Sequence, residues 1–187
     1  MSRRTDARRG VDGSQVSWRR AARRGAGLLL AALAACGGSE MPSSAPSAIA
    51  DKAHPSLDAE ALDGRQVRDL RLRGKLLVVT FFAKDCVPCA RMVPGLELLS
   101  RTEADLAAVG VAEDASEEDA KAQVASWQLS FPVIHDKTRA LQQSFSVGDL
   151  PTTFLTDEGG VVRWVGGSGH NDGDLKAALA ALRERTR

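Results

Sequence analysis

The chain has 187 residues, with 25 lysines and arginines against 24 aspartates and glutamates. Eight of the arginines and only two of the acids lie in residues 1–35, so the remainder has 17 basic and 22 acidic residues and a net charge of −5. This length suits one domain with a sizeable core. Without a basic patch, the acidic remainder argues against a nucleic-acid-binding protein.

The first 35 residues have the pattern of an export signal. An arginine-rich start precedes a short apolar stretch, residues 26–35, which is too short to span a bilayer as a permanent helix. The motif Leu-Ala-Ala-Cys at residues 33–36 resembles the bacterial lipobox, in which the cysteine is lipidated and becomes the mature N-terminus. We therefore predict a lipoprotein signal peptide over 1–35 and a lipid anchor at Cys36. The alternative is an ordinary signal peptide with an incidental cysteine.

Residues 36–53 are rich in Gly, Ser, Pro and Ala and lack hydrophobic periodicity, which predicts a flexible tether. Pro42 and Pro46 argue against a strand there. The globular domain then occupies residues 54–187. Its predicted elements, in chain order, are a small hairpin over 57–67, a buried strand over 76–82, a helix over 89–100, a parallel strand over 106–112, a helix over 116–127, a short strand over 131–134, a short helix over 138–145, a hairpin of strands 152–156 and 161–165, and an amphipathic helix over 174–185. Parallel strands with crossover helices and a closing antiparallel hairpin predict an α/β fold.

A CxxC pair, Cys86 and Cys89, lies where the strand over 76–82 meets the next helix. The free N–H groups and the positive dipole end of a helix N-terminus stabilise a thiolate at Cys86, and Pro88 fits a first helical turn. A zinc site needs four ligands, but the only other cysteine is Cys36 and the three histidines are scattered. A purely structural disulfide across so short a loop would stabilise little. The pair therefore predicts redox activity, with metal binding and inert cysteines as the alternatives.

Two segments carry a resemblance to a known family. Residues 81–89, Phe-Phe-Ala-Lys-Asp-Cys-Val-Pro-Cys, resemble the thioredoxin active-site segment, and residues 148–157 resemble that family's cis-proline loop and following strand. Residues 62–75 and 127–133 are similar to the front and the central insertion of the TlpA/ResA-like branch, which are membrane-tethered extracytoplasmic thioredoxins. The resemblance covers about residues 54–185. It implies a thioredoxin fold, with a central mixed β-sheet flanked by helices, an N-terminal hairpin and a central insertion.

The resemblance also implies roles for individual residues. Cys86 would be the attacking thiol, Cys89 the resolving thiol, and Pro151 a cis-proline that faces them. The cis bond would turn the backbone of Leu150 toward the thiols, so that Leu150, Pro151 and Thr152 form a substrate-binding loop. The disulfide itself is then the redox group, and we expect no dissociable cofactor and no metal site.

Three departures from the family pattern concern proton handling. The residue before the first cysteine, usually aromatic, is Asp85, whose carboxylate disfavours a neighbouring thiolate. Lys84 is placed to offset that charge, and we treat both residues as modulating. The buried acid that many thioredoxins carry in the preceding strand falls at Thr80. The glutamate that many TlpA/ResA-like proteins place after the second cysteine falls at Met92.

The leading functional prediction is a thiol–disulfide oxidoreductase, lipid-anchored on the extracytoplasmic face of a bacterial membrane, that reduces protein disulfides. Expected partners are client proteins with disulfides or thiols, such as apocytochrome c before haem attachment, and a membrane thiol-redox electron donor. We expect the protein to act as a monomer.

Two other activities on the same fold were weighed. Copper chaperones of the Sco type use a three-residue gap between cysteines and a distant histidine, whereas this gap is two and Pro151-Thr152 occupies the corresponding loop. A peroxide-reducing role is weaker still, because Ala83 stands where a threonine is expected upstream of a peroxidatic cysteine. The copper chaperone remains the alternative prediction.

Overall fold

The computed structural model describes residues 40–72 and 74–186, so the predicted signal peptide and Cys36 lie outside the described residues. The strands are β1 Ala59–Glu60, β2 Gln66–Val67, β3 Leu76–Phe82, β4 Leu106–Ala112, β5 Val133–His135, β6 Thr152–Thr156 and β7 Val162–Gly166. The helices are α1 Asp69–Leu72, α2 Cys89–Thr102, α3 Glu117–Ser126, α4 Ala140–Ser144 and α5 Asp172–Arg185. No helix in these ranges is long and apolar enough to cross a membrane.

A mixed five-stranded sheet in the order β5-β4-β3-β6-β7 forms the centre of the domain. β3, β4 and β5 run parallel, while β6 and β7 are antiparallel to their neighbours. β1 and β2 form a separate antiparallel hairpin ahead of this sheet. The predicted thioredoxin fold, with its flanking helices and N-terminal hairpin, is confirmed.

Strand β3 is buried along its whole length because both faces of the sheet are covered. Val78 and Phe82 point into a core shared with α2, α3 and α5. Val79 and Phe81 point into a second core, which the β1–β2 hairpin and the region of α4 complete. The uninterrupted apolar run that predicted a central strand therefore reflects burial on two sides.

Element boundaries differ from the predictions mainly at caps and short elements. The terminal helix begins at Asp172, because Asn171 caps it and forms a reciprocal capping box with Asp174. β5 ends at His135, whose backbone continues the ladder opposite Ala112. The four-residue helix α1 was not predicted, since one helical turn is too short to display a 3.6-residue period.

Residues 43–53, which we call the N-terminal strap, lie along the free edge of β7. The Ala45 N–H donates to the Val165 carbonyl oxygen at 2.7 Å, and the Asp51 N–H donates to the Val162 carbonyl oxygen at 2.9 Å. Ala53 forms an isolated antiparallel bridge with Val161. The structure thus differs from the flexible tether predicted here, because the last strand of an open sheet offers unpaired backbone groups that even a polar segment can satisfy.

Candidate active site

The disulfide lies at the junction that the sequence predicted. β3 ends at Phe82, a short loop follows, and α2 begins at Cys89 with Pro88 as its N-cap. Cys86 and Cys89 are joined by a disulfide with an S–S distance of 2.03 Å. Cys89 is fully buried, whereas Cys86 is half-buried and accepts a hydrogen bond from the Cys89 N–H at 3.3 Å. The cysteine that is partly exposed to solvent is therefore the one whose sulfur faces a helix N-terminal N–H.

The loop before β6 lies beside this disulfide. β3 and β6 are antiparallel, and their register sets Phe81 opposite Thr152, so the end of β3 and the start of β6 share one edge of the sheet. The Leu150–Pro151 peptide bond is cis, as the resemblance implied. Leu150 and Cys86 both pack against the core that contains Cys89. The structure thus brings the cysteine pair and the predicted substrate-binding loop to the same edge.

Lys84 and Asp85, the two predicted modulating residues, are both exposed but have different surroundings. The Lys84 ammonium donates to the Asp119 carboxylate at 2.7 Å, and this hydrogen bond raises the pKa of Lys84. Lys84 is thus paired with α3, while it also faces the charge of Asp85. Asp85 has a φ of 61°, in the left-handed region where Asp and Asn are tolerated better than aromatic residues. The backbone here accounts for the absence of an aromatic side chain at this position.

The two other departures have clear structural roles. Thr80 is fully buried and its hydroxyl is 2.8 Å from the hydroxyl of Thr153 on β6, so a neutral pair occupies the place of a buried acid. Met92 is fully buried in the core beneath α2. Neither residue supplies an ionisable group to the cysteine pair.

Two buried carboxyl groups near the end of β4 were missed by the sequence reasoning. Glu113 follows β4, and its N–H donates to the Phe82 carbonyl oxygen at 2.8 Å, which ties it to the strand that delivers the disulfide. Only 8% of Glu113 is exposed, and its carboxyl group interacts with the carboxyl group of Asp136. Burial, followed by the nearby carboxylate of Asp136, raises the pKa of Glu113 to about 7. The available signal was that acids follow two neighbouring parallel strands, Glu113 and Asp114 after β4 and Asp136 after β5.

A further buried acid, Glu97 in α2, was also missed. Its carboxylate accepts hydrogen bonds from the Ser130 N–H at 2.8 Å and the Ser130 hydroxyl at 2.7 Å. These bonds hold the loop between α3 and β5 against the active-site helix. An acid among the apolar residues of a helix face, next to Leu96, could have been noticed as a buried anchor. Among the described residues, no group of three or more His, Cys, Asp or Glu side chains is arranged to hold a metal ion.

Comparison with known proteins agrees with this geometry. The model of the AhpC/TSA family matches residues 49–165, well over half of the chain. The chain belongs to the AhpC/TSA family. Among its relatives, the thioredoxin-like protein YneN of Bacillus subtilis is 31% identical over 113 residues, which span 58% of this chain and 66% of YneN. The thiol-disulfide oxidoreductase ResA of Geobacillus thermodenitrificans is 29% identical over 133 residues, 69% of this chain and 75% of ResA.

The same fold occurs in a solved thiol:disulfide interchange protein from Chlorobium tepidum. The superposed region covers 75% of this chain and 99% of the Chlorobium chain, with a TM-score of 0.61 and 24% sequence identity. The ResA relatives confirm the predicted kinship with the TlpA/ResA-like branch of the thioredoxin-like proteins. These relatives and the Cys86–Cys89 disulfide agree with the predicted thiol–disulfide oxidoreductase activity.

Proposed function

We propose that the protein reduces disulfides of client proteins in the cell envelope. In the dithiol form, the Cys86 thiolate attacks one sulfur of a client disulfide, and the other client sulfur leaves as a thiolate and takes up a proton. Deprotonated Cys89 then attacks Cys86, which releases the second client thiol and forms the Cys86–Cys89 disulfide. Two electrons pass from the pair to the client, and a thiol donor must restore them. The observation that carries this proposal is the half-buried Cys86 beside fully buried Cys89 at the start of α2.

The direction of electron flow is inferred from the charges beside Cys86. Asp85 adds an exposed negative charge next to the attacking sulfur, and Lys84 is paired with Asp119 across 2.7 Å. A like charge disfavours the thiolate, and a destabilised thiolate makes the dithiol form a better reductant. This supports a reductase over an oxidase.

The substrate-binding role belongs to Leu150, Pro151 and Thr152 in this proposal. Leu150 is half-buried between the two cores, and the Thr152 hydroxyl donates to the Asp149 carbonyl oxygen at 2.7 Å, which stabilises the loop. A cleft of about 580 Å³ adjoins the loop and is lined partly by Asp149, Thr152 and His170. An extended client segment that pairs with the backbone of Leu150 could continue into this cleft. We include the segments of apocytochrome c that carry its cysteine pair among the extended client segments proposed to bind in this way.

The site of action is proposed from the sequence. Cleavage before Cys36 and acylation of its sulfur would tether the protein to the outer side of a bacterial membrane, since several acyl chains hold a protein stably. The electron donor would then be a membrane protein with a dithiol on that side.

The proposal is tested with insulin as the model disulfide substrate and dithiothreitol as the donor. We expect wild-type protein to accelerate insulin reduction, Cys86→Ser to abolish the acceleration, and Cys89→Ala to accumulate mixed disulfides that a non-reducing gel resolves. Glu118→Gln, an exposed change in α3, is the matched control. Full activity of Cys86→Ser would contradict the proposal.

A further inference from the structure

The N-terminal strap ends at one particular end of the sheet. It runs antiparallel to β7, so Ala53 bridges Val161 at one end and Ala45 pairs with Val165 at the other. The Val165 end of β7 pairs with Phe154, near the start of β6 and the cis-proline loop. Followed toward the N-terminus, the strap therefore runs along β7 from the end of the sheet opposite the active site to the end that carries the active site. We call these two ends the far edge and the active-site edge.

Side chains hold the strap at its active-site end. The Ser43 carbonyl oxygen accepts hydrogen bonds from the Trp164 indole N–H at 3.1 Å and from Nε2 of His170 at 3.0 Å. Nδ1 of His170 accepts from the Gly167 N–H at 3.1 Å, which assigns the ring proton to Nε2 and makes it the donor to Ser43. The loop that contains His170 is joined in turn to α2, where the Arg91 guanidinium donates to the Ser168 carbonyl oxygen at 3.0 Å. Arg91 lies two residues after Cys89, so the strap enters the domain at the end of the sheet that carries the disulfide.

The length of chain beyond the strap limits how far the active site can stand from its anchor. Six residues lie between Cys36 and Ser43, and the seven residue-to-residue steps that join them reach about 25 Å at most when extended. Without docking, the free tether would extend to residue 53, reach roughly 60 Å, and join the domain at the far edge of the sheet. Docking of the strap therefore shortens the free tether. It also moves the point where the tether joins the domain from the far edge to the active-site edge.

We propose that the docked strap holds the active-site edge toward the membrane, so that the disulfide exchanges with membrane proteins whose cysteines lie at the bilayer surface. This inference rests on the proposed lipidation of Cys36. The cleft beside the cis-proline loop is lined in part by the strap residues Ser44 and Ser47, so the strap also shapes the surface that such a partner meets.

The test measures the distance of each edge from a bilayer by energy transfer. Full-length mature protein is purified from membranes and reconstituted in phosphatidylcholine vesicles that carry rhodamine on a fraction of the lipid headgroups. In a Cys86→Ser/Cys89→Ser background, a fluorophore is attached through Val87→Cys in one sample and through Glu158→Cys in another. Glu158 is exposed in the β6–β7 turn, and a five-residue strand separates the two edges by about 17 Å.

We expect transfer to be severalfold stronger from position 87 than from position 158. Equal transfer, or stronger transfer from position 158, would overturn the orientation. Flotation of the vesicles distinguishes this from failure of the proposed anchor, because protein without a lipid would stay at the bottom of the gradient and would also refute the inference.

A second variant tests the role of the short tether without altering the folded domain. Insertion of about 20 Gly and Ser residues after Gly38 lengthens the connection to a flexible coil of roughly 25–30 Å root-mean-square extension. We expect this insertion to remove the difference between the two labels while insulin reduction by the cysteine-containing protein stays unchanged. Persistence of the full difference in the lengthened protein would show that the strap and its short connection do not set the orientation.

Discussion

Replacement of Glu113 with glutamine removes a buried acid whose ionisation the fold opposes. The residue is 8% exposed. Burial, Asp136 and Asp114 raise the pKa of Glu113, and Arg139 acts in the opposite direction, so the pKa is about 7. The folded protein therefore keeps Glu113 protonated at pH values where the unfolded chain has already lost this proton.

The size and sign of the effect on stability follow from linkage. The ordinary value for Glu113 is 4.5, so between pH 4.5 and about 7 the folded state binds more protons than the unfolded state at this residue. Its contribution to the free energy of unfolding therefore falls as pH rises through that window, by roughly 3 kcal/mol in total at 1.36 kcal/mol per pKa unit. Above about pH 7 the contribution of Glu113 to the free energy of unfolding is lower by this full amount and no longer changes with pH. Glutamine has no such loss and its amide can donate to Asp136, so we expect Glu113→Gln to be the more stable protein at pH 8 by about 1–3 kcal/mol.

Urea denaturation of the oxidised protein at several pH values between 4.5 and 8.5 measures this effect. We expect the difference in unfolding free energy between Glu113→Gln and wild type to increase with pH and to level off above about pH 7. Glu118→Gln makes the same chemical change at an exposed position of α3 and should follow the wild-type profile. Parallel pH profiles for wild type and Glu113→Gln would refute the reasoning, since they would mean that Glu113 ionises as readily in the folded state as in the unfolded chain.

Four further outcomes are expected for the cysteines and their neighbour. Iodoacetamide at mildly acidic pH should alkylate Cys86 before Cys89, because Cys86 is partly exposed and its sulfur faces the first N–H of α2, whereas Cys89 is fully buried; peptide mass spectrometry reports the order. Cys89→Ala should retain client proteins as mixed disulfides in membrane extracts. If no such mixed disulfides form, Cys89 is not the resolving thiol. Asp85→Asn, which suits the same left-handed backbone, should lower the pKa of the Cys86 thiol modestly, and an unchanged thiolate absorbance titration would exclude a role for this charge. Cys36→Ala should release the protein from the membrane fraction or block its maturation, and a variant that still requires detergent would locate the anchor elsewhere.

The features that were predicted from sequence are those with a local physical signal. Leu76–Phe82 is an unbroken apolar run, and its identification as a central strand was confirmed because burial on both faces removes the need for polar alternation. The CxxC between that strand and a helix was likewise visible from spacing alone. The cis state of the Leu150–Pro151 bond came only from resemblance, since an isolated Pro-Thr pair does not distinguish cis from trans.

The features that were missed depend on contacts between distant parts of the chain. Glu113 and Asp136 become neighbours only because β4 and β5 pair in a particular register, which sets Ala112 opposite His135. Lys84 forms its hydrogen bond with Asp119 of α3, which is 35 residues away in the sequence, whereas the sequence suggested its neighbour Asp85 as the partner. The strap lacks any hydrophobic period because backbone groups, more than side chains, hold it on β7.

The reduction potential of the Cys86–Cys89 pair is the measurement that tests the reductase proposal most directly. Equilibration of the purified protein with defined ratios of reduced and oxidised dithiothreitol, followed by trapping of free thiols, gives this value. We expect a potential close to that of thioredoxin, about −270 mV, because the Asp85 carboxylate disfavours the Cys86 thiolate. A potential close to that of DsbA, about −120 mV, would mean that the dithiol form is strongly stabilised and that the protein oxidises its clients instead.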